Sequence, residues 1–196
     1  MKFIAIIFFW TVFPTLAMSQ LSLNLRDSKY VGVSYLLNNG FGLSLEHSVF
    51  SQEISTQYVR GNLLFDKSLG SIDYKIATYY GMPYDAAYYN FGTDLSGEFP
   101  LNRTVKVFIG LNPHYDSFFK YKTCFDAGAN FHLHKDVGIM ASYSTKPEFR
   151  QNEKRIKVGL MLKVQNLSVY PYLSIPLEGA IKSFRLLVNL NYVFDK

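Results

Sequence analysis

The chain is nearly devoid of cysteine: Cys124 is the only one in 196 residues. A lone cysteine closes no intrachain disulfide, so the fold must find its stability elsewhere. Glycine (13) and proline (7) are too few for collagen-like or low-complexity structure. Charge is sparse, at 18% of residues, and the net +5 is scattered, with no basic run longer than Lys154-Arg155. Nucleic acid, which demands a continuous basic patch, is therefore not expected as a partner. No apolar run reaches the roughly 20 residues of a spanning helix. Nor does any stretch keep a 3.6-residue apolar period beyond about two turns. Gly-x-Ser-x-Gly, His-Glu-x-x-His and phosphate-loop motifs are all missing, so no cofactor and no metal are expected.

What is abundant is aromatic: 15 Tyr and 17 Phe. The chain opens with Lys2, an apolar run from Phe3 to Phe13, then Pro14, Ala17 and Ser19. A basic start, a short apolar stretch and small residues at −3 and −1 describe a secretory signal peptide over 1–19, cut before Gln20. Residues 20–196 then form one domain.

Along that domain the apolar period is two. Phe184, Leu186, Val188, Leu190, Tyr192 and Phe194 alternate with Arg185, Leu187, Asn189, Asn191 and Val193. Ile156, Val158, Leu160, Leu162 and Val164 alternate in the same way with Arg155, Lys157, Gly159, Met161 and Lys163. Period two puts one face in an apolar medium and the other in a polar one. Strands are expected over 20–26, 30–37, 41–50, 55–65, 71–81, 86–98, 103–113, 122–133, 137–145, 154–164, 167–176 and 183–194. Most span about ten residues, the length of a tilted membrane strand and longer than the usual soluble one. Tight turns such as Asn38-Asn39-Gly40 and Gln165-Asn166 alternate with longer connections near 51–54, 82–85, 114–121, 146–153 and 177–182.

Signal peptide, meander hairpins and a final strand rich in aromatics (Leu186 to Phe194) together resemble the bacterial outer-membrane β-barrel proteins. The resemblance implies an all-β fold: an antiparallel meander transmembrane β-barrel of about twelve strands, with ten as the alternative count. It also implies residence in the outer membrane of a Gram-negative envelope. Outer-membrane lipid and the barrel-assembly machinery are the partners it brings. Aromatics fall in two belts, as interfacial girdles do. Phe41, Phe65, Phe99, Phe131, Tyr192 and Phe194 lie near turn ends, and Tyr30, Phe50, Tyr80, Tyr88, Phe125, Tyr143 and Phe184 near loop ends.

With the apolar face toward lipid, the opposite face lines the interior: Glu46, Arg60, Asp73, Lys75, Asp94, Glu98, Lys106, Asp126, Arg155, Lys157, Lys163 and Arg185. Twelve tilted strands enclose a backbone radius of roughly 12 Å, between filled eight-stranded barrels and open porins. Mixed charges across that bore are expected to pair and plug it.

Chemistry-bearing residues are few. His114 with Asp116 and Asp85, or His47 with Ser44 and Ser48, are the pairs a barrel hydrolase would need. His132 and His134, with Asp136, form a His-x-His pair that reads as a solvated turn rather than a metal site. The segment 114–121 carries His114, Tyr115, Phe118, Phe119 and Tyr121, the aromatic composition of a binding surface, so it is the candidate loop for an envelope protein partner. The expected function is a non-catalytic barrel, a structural or surface-loop-binding component of the envelope. A narrow channel for small solutes is the alternative, and an outer-membrane hydrolase using a loop or rim histidine is the second.

Overall fold

Period-two sequence becomes antiparallel sheet throughout. The structure, a computed structural model, describes residues 20–48, 58–83, 89–117, 120–146, 154–177 and 184–194. The expected signal peptide, and with it Phe50, Asp85, Tyr88, Phe118 and Phe119, lies outside those residues. The strands are β1 (Gln20–Arg26), β2 (Tyr30–Leu36), β3 (Phe41–Ser48), β4 (Tyr58–Leu69), β5 (Ile72–Pro83), β6 (Asn90–Pro100), β7 (Val105–Asp116), β8 (Lys120–His134), β9 (Val137–Ser144), β10 (Arg155–Val164), β11 (Leu167–Pro176) and β12 (Arg185–Val193).

Each strand pairs antiparallel with its neighbours in sequence, and β1 pairs with β12, so the meander closes into a twelve-stranded barrel. Closure leaves no unpaired edge. The seam runs Ser22↔Val193, Leu23↔Tyr192, Asn24↔Asn191 and Leu25↔Leu190, extended by the Phe194 N–H donating to the Leu21 carbonyl (3.0 Å).

The polarity is that of a membrane barrel, with an apolar outside and a polar inside. Leu43, Leu45, Leu63, Ile109, Val158, Leu160 and Leu186 are exposed, whereas Ser48, Asn62, Asn112, Asp116, Ser144, Arg155 and Ser174 are buried. Arg155, at 0% exposure, is the largest fully buried side chain. A soluble sandwich would show the opposite arrangement.

Turn chemistry sets one end of the barrel. Gly40 has φ +93° and Gly70 +63° in the β2–β3 and β4–β5 turns, values at which a side chain is strained. In the β6–β7 turn the Asn102 side-chain oxygen accepts from the Thr104 N–H, the Thr104 hydroxyl and the Val105 N–H, each at 2.9 Å. Such an Asx turn replaces the backbone bonds lost at a chain reversal. At this end Phe41 packs on Phe65 (4.7 Å), Phe65 on Tyr74 (5.8 Å), and Tyr192 on Phe194 (5.0 Å). The second belt, at the loop end, stacks Tyr80 on Tyr89, Tyr89 on Tyr115, and Phe91 on Tyr115. Tyr30 departs from that belt: its ring contacts Tyr58 and the Arg26 guanidinium on the inward face.

Two hairpins run further than the alternation predicts. β4 continues past the expected 65 to Leu69, opposite Ile72 at the start of β5, held by the Lys75–Asp66 pair (3.3 Å) and the Ser68 hydroxyl on Asp73 (2.5 Å). β7 and β8 continue to Asp116 and from Lys120, with Tyr115 opposite Tyr121 and Asp116 opposite Lys120. Cross-strand aromatic and opposite-charge pairs stabilise sheet. The expected binding loop 114–121 is therefore mostly strand.

Candidate functional site: the barrel interior

Side chains on the convex surface of a barrel diverge, so contact between strands that are not neighbours is possible only on the concave side. Such contacts mark the interior. From β4 the Arg60 guanidinium crosses β5 to reach Asp94 on β6 (2.9 Å), while its Nε donates to Asn62 (2.7 Å). Asn62 in turn donates to the Ser44 hydroxyl (2.8 Å). Arg26 on β1 crosses β2 to Glu46 on β3 (2.8 Å). Lys106 on β7 reaches back to Asp73 on β5 (3.5 Å) and pairs with Glu98 on β6 (2.9 Å). Asn130 donates to Glu98 across β7 (3.1 Å). Lys146, just beyond β9, bridges Asp94 and Asp126 at 2.9 Å each.

The carboxylates predicted for the interior are thus gathered on β3 to β8, each beside a cation. Asp66 with Lys75 stands at the exposed turn rim. Elsewhere the wall has a different character. Arg155, Lys157 and Lys163 on β10 and Arg185 on β12 sit on the inward phase, and strands β9 to β12 contain no Asp or Glu at all. Arg155 donates through Nε to the Ser174 hydroxyl (2.7 Å), and Lys157 stands 5.4 Å from the Tyr172 ring centroid.

Three inward tyrosines, on β4, β5 and β11, each bridge an intervening strand. Tyr58 on β4 donates to Asn90 on β6 (2.5 Å), with its ring against Gly81 on β5. Tyr79 on β5 meets Asn112 on β7, whose Nδ2 donates to the phenol oxygen (3.2 Å), and passes over Gly92 on β6. Tyr172 on β11 spans β12 to donate to Asp27 after β1 (2.6 Å). Tyrosine phase was legible in the sequence, but these partners sit 32, 33 and 145 residues away and depend on register. Lys146 carries no periodic signal and falls in the connection expected near 146–153.

Of the expected reactive constellations, Asp85 lies outside the described residues, and His47 faces away from Ser44 and Ser48. His114 is inward on β7 with Nδ1 3.2 Å from the Asn112 carbonyl. Ser44 accepts from Asn62 and Ser48 from the Tyr58 N–H (2.7 Å), both on the face opposite His47. A register shift falls between His132 and His134, which breaks the shared face of the His-x-His pair. Among the described residues no group of three His, Cys, Asp or Glu is placed to hold a metal. Of the expected loop-binding residues, Tyr115 is stacked on Phe91 (5.3 Å) in the outer belt, and Tyr121 stands exposed on β8.

No protein-family model matches the chain, and no curated protein sequence does. Solved structures do match. The chain superposes on the KdgM porin in complex with disordered oligogalacturonate with a TM-score of 0.67 at 16% identity, covering 90% of this chain and 99% of that one. On the NanC porin the TM-score is 0.51 at 8% identity, covering 89% and 97%. These end-to-end likenesses to porins run against the expectation of a structural, surface-loop-binding barrel. In sequence pattern, closure and polarity, the chain has the fold of the bacterial outer-membrane β-barrels.

Proposed function

We propose that this barrel is a narrow channel for small solutes across the outer membrane, selective for anions. The observation that carries the reading is the segregation of inward charge. Acidic groups stand on β3 to β8 beside cations, and the wall from β9 to β12 presents Lys157, Lys163 and Arg185 with no carboxylate on its strands, Arg155 being buried against Ser174. In a narrow bore with low-dielectric walls, one-signed charge raises the local concentration of counter-charged solute. Buried polar atoms with no hydrogen-bond partner among the described residues, Asn130 Oδ1, His132 Nε2 and Asn191 Oδ1, favour a wetted interior. The porin with which this chain superposes at 0.67 was solved with oligogalacturonate, an anionic saccharide, and a cationic wall suits cargo of that charge.

The test is planar-bilayer recording of the refolded protein under a salt gradient. A reversal potential of anion-selective sign is expected, and it should move toward the cation side in a Lys157→Glu/Lys163→Glu variant. A folded barrel with no conductance, or one selective for cations, would overturn the reading.

A further inference from the structure

Tyr79 and Tyr172 occupy opposite walls: β5 and β11 are six strands apart in either direction around the closed order. Both sit just past the middle of their strands toward the loop end. A tyrosine in this phase has two places to go, out across the bore or flat along the wall. Both are flat, with exposures of only 8% and 2%.

What holds them flat is specific to each. The phenol oxygen of Tyr79 accepts from Asn112 Nδ2 (3.2 Å), and Asn112 is itself fixed by donating to Asp94 (2.9 Å). The ring passes over Gly92, where a Cβ would stand 2.8 Å from the hydroxyl oxygen. Glycine is what lets the ring lie down. On the lumen side the Arg60 guanidinium caps the ring at 3.6 Å, an attractive stacking geometry. Tyr172 is strapped by a hydroxyl bond to the Asp27 carboxylate (2.6 Å), which is charge-assisted and hence among the stronger hydrogen bonds.

Resting on the channel reading, we infer that Tyr79 and Tyr172 set the bore, and that their hydroxyl anchors keep it open. Without the anchors each ring loses the bond that fixes its far end, and a staggered χ1 rotamer that points at the opposite wall comes within reach. The two rings would then narrow the passage from opposite sides. They are positioning residues for permeation, through where their rings lie.

The inference makes removing the hydroxyl and removing the ring act in opposite directions. In planar-bilayer recordings Tyr79→Phe/Tyr172→Phe should lower single-channel conductance and add brief closures. Tyr79→Ala/Tyr172→Ala should raise conductance and admit larger neutral polymers in an exclusion series. Heat-modifiable migration on a gel checks that each variant is folded. Should the alanine pair fail to fold, the single variants Tyr79→Ala and Tyr172→Ala carry the same comparison. A conducting wild type whose Phe and Ala variants shift the same way, or neither way, would overturn the inference and leave the channel standing. A folded wild type with no conductance would overturn both, and would do so at the channel.

Discussion

Arg60 Nη2 lies 2.9 Å from Asp94 Oδ2, two strands away, with β5 passing beneath the pair. Their side chains are 16% and 27% exposed, so the pair is neither dry nor freely solvated. Removing one partner leaves the other charge against the wall without its counter-ion. Arg60→Ala should therefore destabilise the barrel by about 1–2 kcal/mol, below the range of a fully buried pair because solvent still screens this one. Asp94→Asn should also cost stability, since Lys146 loses a partner with it. Chemical unfolding from detergent micelles measures both, and the double variant should cost less than the sum. Strict additivity would mean that the contact contributes nothing.

The outer surface should be sensitive to charge according to depth. Val158 is exposed in the middle of β10, and Leu133 is exposed one residue from the end of β8. Arginine on the lipid face costs about 2–4 kcal/mol at the midplane and about 0–1 near an interface. Val158→Arg should thus impair refolding into lipid bilayers far more than Leu133→Arg. Equal effects at the two sites would contradict a lipid-facing outer surface.

These two contrasts show how far the sequence reaches. Alternation in Ile156 to Val164 announced both the lipid face and the inward phase of Lys157, because period two is a local property. It also bounded β1 at Arg26 and β11 at Pro176 as the structure has them. The β7–β8 hairpin is in that pattern, but its outer extension to Asp116 and from Lys120 is not, because the tip is stabilised by cross-strand pairs, Tyr115 with Tyr121 and Asp116 with Lys120, which exist only once register is known. The same holds for Tyr79 and Asn112, 33 residues apart. Lys146 is invisible for a simpler reason: it lies two residues past the end of β9 at Ser144 and belongs to no periodic run. The misreading of function followed from these gaps. Charges assumed to meet across the bore instead pair along one wall.

Two turn glycines separate backbone strain from crowding. Gly70 has φ +63°, and nothing lies within 4 Å of where its Cβ would stand. Gly40 has φ +93°, and its Cβ would run into the Asp66 carbonyl, while the Gly40 carbonyl accepts from the Asp66 N–H (2.8 Å). Gly70→Ala should cost about 1 kcal/mol from left-handed strain alone, and Gly70→Asn less. Gly40→Ala should cost distinctly more, because the β3–β4 contact must also give way. Unfolding midpoints of the three variants check the order, and a Gly70→Ala cost at or above that of Gly40→Ala would contradict it.

Lys146 ties the start of the 145–154 connection to the barrel interior through Asp94 and Asp126. Burial disfavours its ammonium, but the two carboxylates outweigh that and raise its pKa above the ordinary 10.5. A group whose folded pKa is raised contributes its full stabilisation below the unfolded value and loses it as pH climbs through the folded one. The tie should therefore hold without change from about pH 6 to about pH 9 and weaken only above the ordinary lysine value. Comparing Lys146→Met with the wild type across pH isolates the effect. The stability gap, about 1 kcal/mol for a pair still one-third exposed, should stay flat through neutrality and close only in strong alkali. A gap that already narrowed between neutral pH and about pH 9 would place the lysine below its ordinary value, and would mean that burial outweighs the two carboxylates.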